Sequence, residues 1–157
     1  MSVSPQTALK FVLLQEKHLD QIMEVELEAY PEPWTPGMFR EEMRSSRSYF
    51  CLAFAEGEFA GYGGYWLVLD EAHITSVTVA AHQRGRGYGR EQVLHLLESA
   101  KEQGARIATL EVRESNNPAR HLYDSLGFRS VGLRKGYYSK TNEDAVVMVK
   151  ELDGRDD

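Results

Sequence analysis

Residues 77–79 read Val77-Thr78-Val79, a β-branched run, and residues 83–90 read Gln83-Arg84-Gly85-Arg86-Gly87-Tyr88-Gly89-Arg90. A long amphipathic stretch follows. The segment demands a strand, a tight glycine turn and a helix in immediate succession, and no other part of the chain restricts the fold as much. Glycine allows the backbone angles that turn several N–H groups toward one point. The helix N-terminus adds positive partial charge there. The guest suited to such a junction is a chain of phosphates. The spacing is Arg84-x-x-Gly87-x-Gly89. No Lys-Ser or Lys-Thr follows as an ATPase phosphate loop requires, and the glycines do not fit the dinucleotide-binding pattern. Gly87 and Gly89 would let the backbone approach a pyrophosphate, with Arg84, Arg86 and Arg90 meeting the remaining charge. The plainer alternative is a helix-entry loop with surface arginines.

The rest of the chain supplies a sheet for this junction. Leu9–Leu14 reads as a strand and 16–30 as a helix with Leu19, Ile22, Met23 and Tyr30 at helical spacing. Thr35 before Pro36 predicts a helix start, with its end near Ser45. Strands are expected at 49–55, 59–68 and 73–80, the first two joined by a turn at Glu56-Gly57. A helix over 87–103 carries Gly89, Val93, Leu96, Leu97 and Ala100 on one stripe and stops at Gly104. A strand at 107–113 precedes a helix that begins at Asn117-Pro118 and stops at Gly127. Strands near 128–133 and 145–151 flank a loop holding Gly136-Tyr137-Tyr138. The order βααβββαβαββ predicts an α+β, or mixed α/β, domain around one central sheet. Residues 1–6 and 153–157 read as loose ends of a single domain spanning 1–157, with its core over about 8–152.

The chain has 157 residues and a formal net charge of −6, so it lacks the overall basic balance expected of a nucleic-acid binder. A basic peptide or an amine is the more suitable partner. Cys51 is the single cysteine, which excludes an intrachain disulfide. It sits in an apolar run and reads as a small buried hydrophobe. There is no leader-like N-terminus and no apolar run of membrane-spanning length, so a cytoplasmic protein without a membrane partner is expected. His18, His73, His82, His95 and His121 show no paired ligand spacing, and no metal is expected.

Two residues have the chemistry for acyl transfer. In the strand at 107–113, alternation puts Ala108, Leu110 and Val112 on one face and Glu111 on the other. Glu111 either meets solvent or an arginine, or faces a cleft. Tyr123 lies on the stripe Ala119, Leu122, Tyr123, Leu126, where a core tyrosine with a wet hydroxyl is the ordinary reading. Together they suit acyl transfer from a thioester to an amine. Glu111 would take a proton from the amine, directly or through water, and Tyr123 would protonate the departing thiolate.

With these residues in place, the chain resembles the GCN5-related N-acetyltransferase (GNAT) superfamily over nearly its full length. The narrower likeness is to its branch that acetylates the N-terminal alanine of a small-subunit ribosomal protein. It rests on Pro33-Trp34-Thr35 with Phe39, on 69–72 (Leu-Asp-Glu-Ala), on 110–116 (Leu-Glu-Val-Arg-Glu-Ser-Asn), on 122–128 (Leu-Tyr-Asp-Ser-Leu-Gly-Phe), on Tyr137-Tyr138 and on 143–145 (Glu-Asp-Ala). The resemblance implies a GNAT fold, a mostly antiparallel sheet splayed at its middle with helices on both faces. It implies acetyl-CoA as co-substrate. Glu111 falls at the family's proton acceptor and Tyr123 at its proton donor. Val77, Thr78 and Val79 match the strand beside the pantetheine arm and thioester. Gly85 to Arg90 match the pyrophosphate cradle, with Arg84 at its entrance, and Asn116 matches a cofactor contact. Glu26, Pro33, Trp34, Tyr137 and Tyr138 match the walls of the peptide groove. Many relatives have proline and an aromatic where this chain has Ala81 and Gln83. Acetylation of a lysine side chain or small amine, and non-catalytic sensing of acyl-CoA, remain the alternatives at this point.

Overall fold

The computed structural model describes residues 9–152. The expected loose ends, 1–6 and 153–157, lie outside the described residues. Strand β1 spans Leu9–Leu13, and a 3-10 turn at Glu16–His18 leads into α1, Leu19–Ala29. Helix α2 is Pro36–Arg44. Strands β2, β3 and β4 are Ser48–Ala55, Glu58–Val68 and Glu71–Val79. A second 3-10 turn, Ala81–Gln83, precedes α3, Tyr88–Glu102. Then come β5 (Ile107–Arg113), α4 (Asn117–Ser125), β6 (Arg129–Tyr138) and β7 (Glu143–Glu151).

Local chemistry accounts for most of these limits. The Thr35 side chain accepts a hydrogen bond from the Met38 N–H and Pro36 opens α2, as expected. Helix α4 begins at Asn117 as expected, and Asn116 caps it, its Oδ1 accepting from the Ala119 N–H at 3.2 Å. The Gly136-Tyr137-Tyr138 run belongs to β6 and is not a free loop. Its pairing with β7 lapses between Arg134 and Tyr138. There the Asp144 carboxylate accepts from the Gly136 N–H at 2.8 Å, in place of a ladder bond.

The strands form one sheet in the order β1-β2-β3-β4-β5-β7-β6. All neighbours run antiparallel except β4 and β5. That parallel pair is brief: Glu71, Ala72 and His73 register with Ile107, Ala108 and Thr109, and pairing then ends. Beyond it, residues 74–79 of β4 and 110–113 of β5 have no partner across the gap, and the sheet splays open. Gly64 pairs with Ser76 but Tyr65 with Ile74, leaving Thr75 as a bulge beside the opening.

Helices cover both faces. On one, α1 and α2 bury Ile22, Val25 and Phe39 against Phe50, Leu52 and Tyr62. On the other, α3 and α4 bury Val93, Leu96, Tyr123 and Leu126 against Ile74, Ala108, Leu110 and Val112. The β5 alternation is as expected from its sequence. Helix α3 lies close on β3 because that strand offers glycine. A Cβ on Gly61 would stand 2.2 Å from the Thr78 carbonyl oxygen and 2.6 Å from Gln92 Nε2. Gly61→Ala should therefore cost about 1–3 kcal/mol of stability through overpacking, read as a lower urea midpoint.

Candidate active site

The gap between β4 and β5 opens into a cavity of about 500 Å³. It draws residues from both faces of the sheet. His73, Val77, Glu111 and Arg113 come from the parting strands, Glu26, Tyr30 and Trp34 from α1 and its following loop, Tyr123 and Asn116 from α4 and its cap, and Tyr137 and Tyr138 from β6. Most of the residues expected at the reaction centre and peptide groove thus meet in one place. Pro33, Thr78, Val79 and the loop 84–90 do not line this cavity.

Glu111 stands at the splay with its side chain 11% exposed. One oxygen, Oε1, lies 2.6 Å from His73 Nε2, and Oε2 faces Arg134 Nη1 at 3.9 Å. The bond to His73 holds the Glu111 carboxyl below its usual range, and the same bond raises the His73 imidazole above its own. His73 is a site residue that sequence reading missed. It is brought to Glu111 by the parallel register of β4 and β5, which no spacing along the chain announces.

Burial pushes the Tyr123 phenol well above its ordinary range, so its proton stays in place at neutral pH. The ring packs edge-on against Phe128 at 5.7 Å. No described residue bonds the hydroxyl.

Glu26 is buried inside the cavity wall. It is 4% exposed, accepts from the Tyr62 hydroxyl at 2.6 Å and from the Trp34 N–H at 2.8 Å. Helix α1 thereby fixes the Pro33-Trp34 loop, and the indole packs on Phe39 and Phe50. Across the cavity, Arg113 stacks on the Tyr138 ring at 3.9 Å, and Tyr137 stands perpendicular to Tyr138. The Ser139 hydroxyl donates to Glu32 Oε2 at 3.0 Å, so the β6–β7 turn is tied to the loop after α1.

The glycine loop leaves β4 beside the opening. Gly85 and Gly87 have φ of 80° and 82°, the left-handed region expected of them. The N–H groups of 85–87 have no backbone acceptor among the described residues. Those of Tyr88, Gly89 and Arg90 form the first turn of α3, whose donors lack intrahelical partners. Arg84 bends back to donate to the Val79 carbonyl at 3.2 Å, and Arg90 donates to the Ser125 hydroxyl at 3.1 Å. Gln83 is buried, and its Oε1 has no partner among the described residues. Among the described residues no group of three His, Cys, Asp or Glu side chains could hold a metal, and no helix is long and apolar enough to cross a membrane.

A sheet parted at one parallel pair, with a glycine-arginine loop at the mouth of the opening, defines an acetyltransferase of the GNAT type. The acetyltransferase (GNAT) family profile matches residues 19–128, and the chain belongs to this family as an N-acetyltransferase. Within it the chain is RimI-like. A Bacillus subtilis protein provisionally described as a ribosomal protein bS18-alanine N-acetyltransferase is 36% identical over 83% of this chain and 87% of its own. The Escherichia coli ribosomal protein bS18-alanine N-acetyltransferase is 32% identical over 86% of this chain and 92% of its own. A crystal structure of the E. coli enzyme superposes with a TM-score of 0.83, covering 92% of this chain and 94% of that one.

Proposed function

We propose that this chain transfers the acetyl group of acetyl-CoA to the α-amine of a protein N-terminus, with the N-terminal alanine of ribosomal protein bS18 as the expected acceptor. The observation that carries the reading is the cavity at the sheet opening, where a carboxylate–imidazole pair and a protonated phenol share one space. The likeness to bS18-alanine N-acetyltransferases supports the acceptor.

The residues present suit acetyl-CoA. Left-handed Gly85 and Gly87 and the free N–H groups of the loop match a pyrophosphate, with the exposed Arg86 beside them. Val77, Thr78 and Val79 would lie along the pantetheine arm, and Asn116 at the cap of α4 would face it. Acetyl-CoA supplies the acetyl group as a thioester. The Glu111–His73 pair accepts a proton from the α-ammonium, leaving a nucleophilic amine. Tyr123 protonates the thiolate as it leaves. Glu26 holds the Trp34 wall, and Tyr137 and Tyr138 form the opposite wall of the acceptor groove.

The α-amine favours this assignment over lysine, because its reference pKa is about 7.7–8.0 against about 10.4. Two basic peptides provide the test, read by mass after incubation with acetyl-CoA. A peptide with a free N-terminal alanine should gain one acetyl group. A peptide blocked at its N-terminus and carrying an internal lysine should gain none. Acetylation of the blocked peptide would move the assignment to lysine side chains, and binding of acetyl-CoA without reaction on any amine would move it to a sensor.

A further inference from the structure

We infer that the proton leaving the acceptor amine comes to rest on His73, with Glu111 as the positioning residue that orients and stabilises the imidazole. This rests on the acetyltransfer reading above and names its proton acceptor. The geometry separates the two side chains. Both oxygens of Glu111 already face cationic or N–H groups, Oε1 at His73 and Oε2 at Arg134, and little of the carboxylate is open. His73 is 40% exposed at its side chain and lines the same cavity. Its Nε2 donates to Glu111, which fixes the tautomer and leaves Nδ1 as the basic nitrogen. No described residue bonds Nδ1. A carboxylate oriented behind an imidazole also stabilises the imidazolium once it forms.

Chemistry agrees with the geometry. A carboxyl held below its usual range is poorly matched to an amine of pKa about 8, whereas an imidazole raised above 6.5 comes closer. The groups acting on His73 are Glu71 on its own strand, Glu111 from β5 and Arg134 from β6, and Tyr137 of β6 shares their electrostatic environment.

The steps balance. Nδ1 of His73 takes one proton from the ammonium, directly or through a water. The nitrogen lone pair forms the C–N bond, and the C–S bond breaks as Tyr123 gives its proton to sulfur. The second nitrogen proton leaves as the amide forms and restores Tyr123 through solvent. His73 returns its proton to solvent before the next turnover.

His73→Gln tests this, since its amide N–H can still donate to Glu111 but cannot hold the proton. Thermal melts first establish that the variant folds, with His73→Asn as the substitute if it does not. The variant should lose about 30–100-fold in kcat, bind acetyl-CoA as the parent does, and lose the acidic limb of its kcat–pH profile. Adding Glu111→Gln to it should cost no more than about threefold further, because the two act as a unit. Independently of turnover, imidazole NMR should show His73 keeping its proton to higher pH in the parent than in Glu111→Gln. A His73→Gln enzyme within about threefold of the parent with its acidic limb intact would overturn the inference. So would an unchanged His73 titration in Glu111→Gln. A parent chain that acetylates no amine overturns the acetyltransfer reading, and this inference with it.

Discussion

Tyr123→Phe is expected to lower kcat by about 10²–10³-fold, the scale of general acid catalysis, while acetyl-CoA binding changes less than about twofold. The substitution removes one oxygen. The ring keeps its packing against Phe128 and its place in the core beneath α3 and α4. No hydrogen bond to a described residue is lost, so stability should hold. A thiol of reference pKa about 8.5 gives a thiolate that leaves poorly unless it is protonated. Burial keeps the Tyr123 proton in place at neutral pH, as the proposed role requires. Steady-state kinetics should show kcat and kcat/KM falling together, the mark of an interaction made in the transition state. Turnover at the parent rate would remove Tyr123 from the chemistry.

Glu26→Ala is expected to cost about 3–5 kcal/mol, because two hydrogen bonds to a charged acceptor are lost and their donors stay in place. The Tyr62 hydroxyl would be left inside the core, and the Trp34 N–H would lose the anchor of its loop. Glu26→Gln should be milder. Its amide oxygen can accept from the Trp34 N–H, and the Tyr62 hydroxyl can turn to accept from the amide N–H. Urea unfolding would rank the parent above Glu26→Gln above Glu26→Ala. The same series should raise KM for the peptide, since the Trp34 wall is hung on this carboxylate. Equal midpoints for parent and Glu26→Ala would show that the buried bonds contribute nothing net.

Much of the fold was legible because local rules and tertiary packing agree. Thr35-Pro36 started α2, the alternation in β5 sorted Glu111 from Leu110 and Val112, and Gly87 took the left-handed angle that its loop needed. The order of elements followed from such signals. What escaped were features made by register. His73 and Glu111 are 38 positions apart and meet only because β4 pairs with β5 in parallel for a short stretch. Gln92 interrupts the apolar stripe of α3, yet it is buried because its side chain bonds the Thr78 carbonyl in the space that Gly61 leaves. The Gly136-Tyr137-Tyr138 run had a loop's composition and a strand's position. An aspartate on β7, rather than a regular ladder, holds it there. Glu26 was placed at the groove wall by resemblance alone, because its two partners lie on other elements.

The early end of the β4–β5 pairing has a thermodynamic consequence. Residues 74–77 and 110–113 line a slot in the middle of the sheet, so the folded chain is completed by what it binds. A molecule that occupies the slot adds RT ln(1 + [L]/Kd) to the free energy of unfolding, about 2.7 kcal/mol at a hundredfold excess over Kd. The melting temperature of this enzyme is then a function of the concentration of its own reactant. Hydrogen exchange at the two slot edges should slow on saturation more than exchange in the fully paired β2–β3 ladder. With the acyl donor in the slot, as proposed above, a falling supply in a cell would shorten the lifetime of the protein as well as starve its reaction.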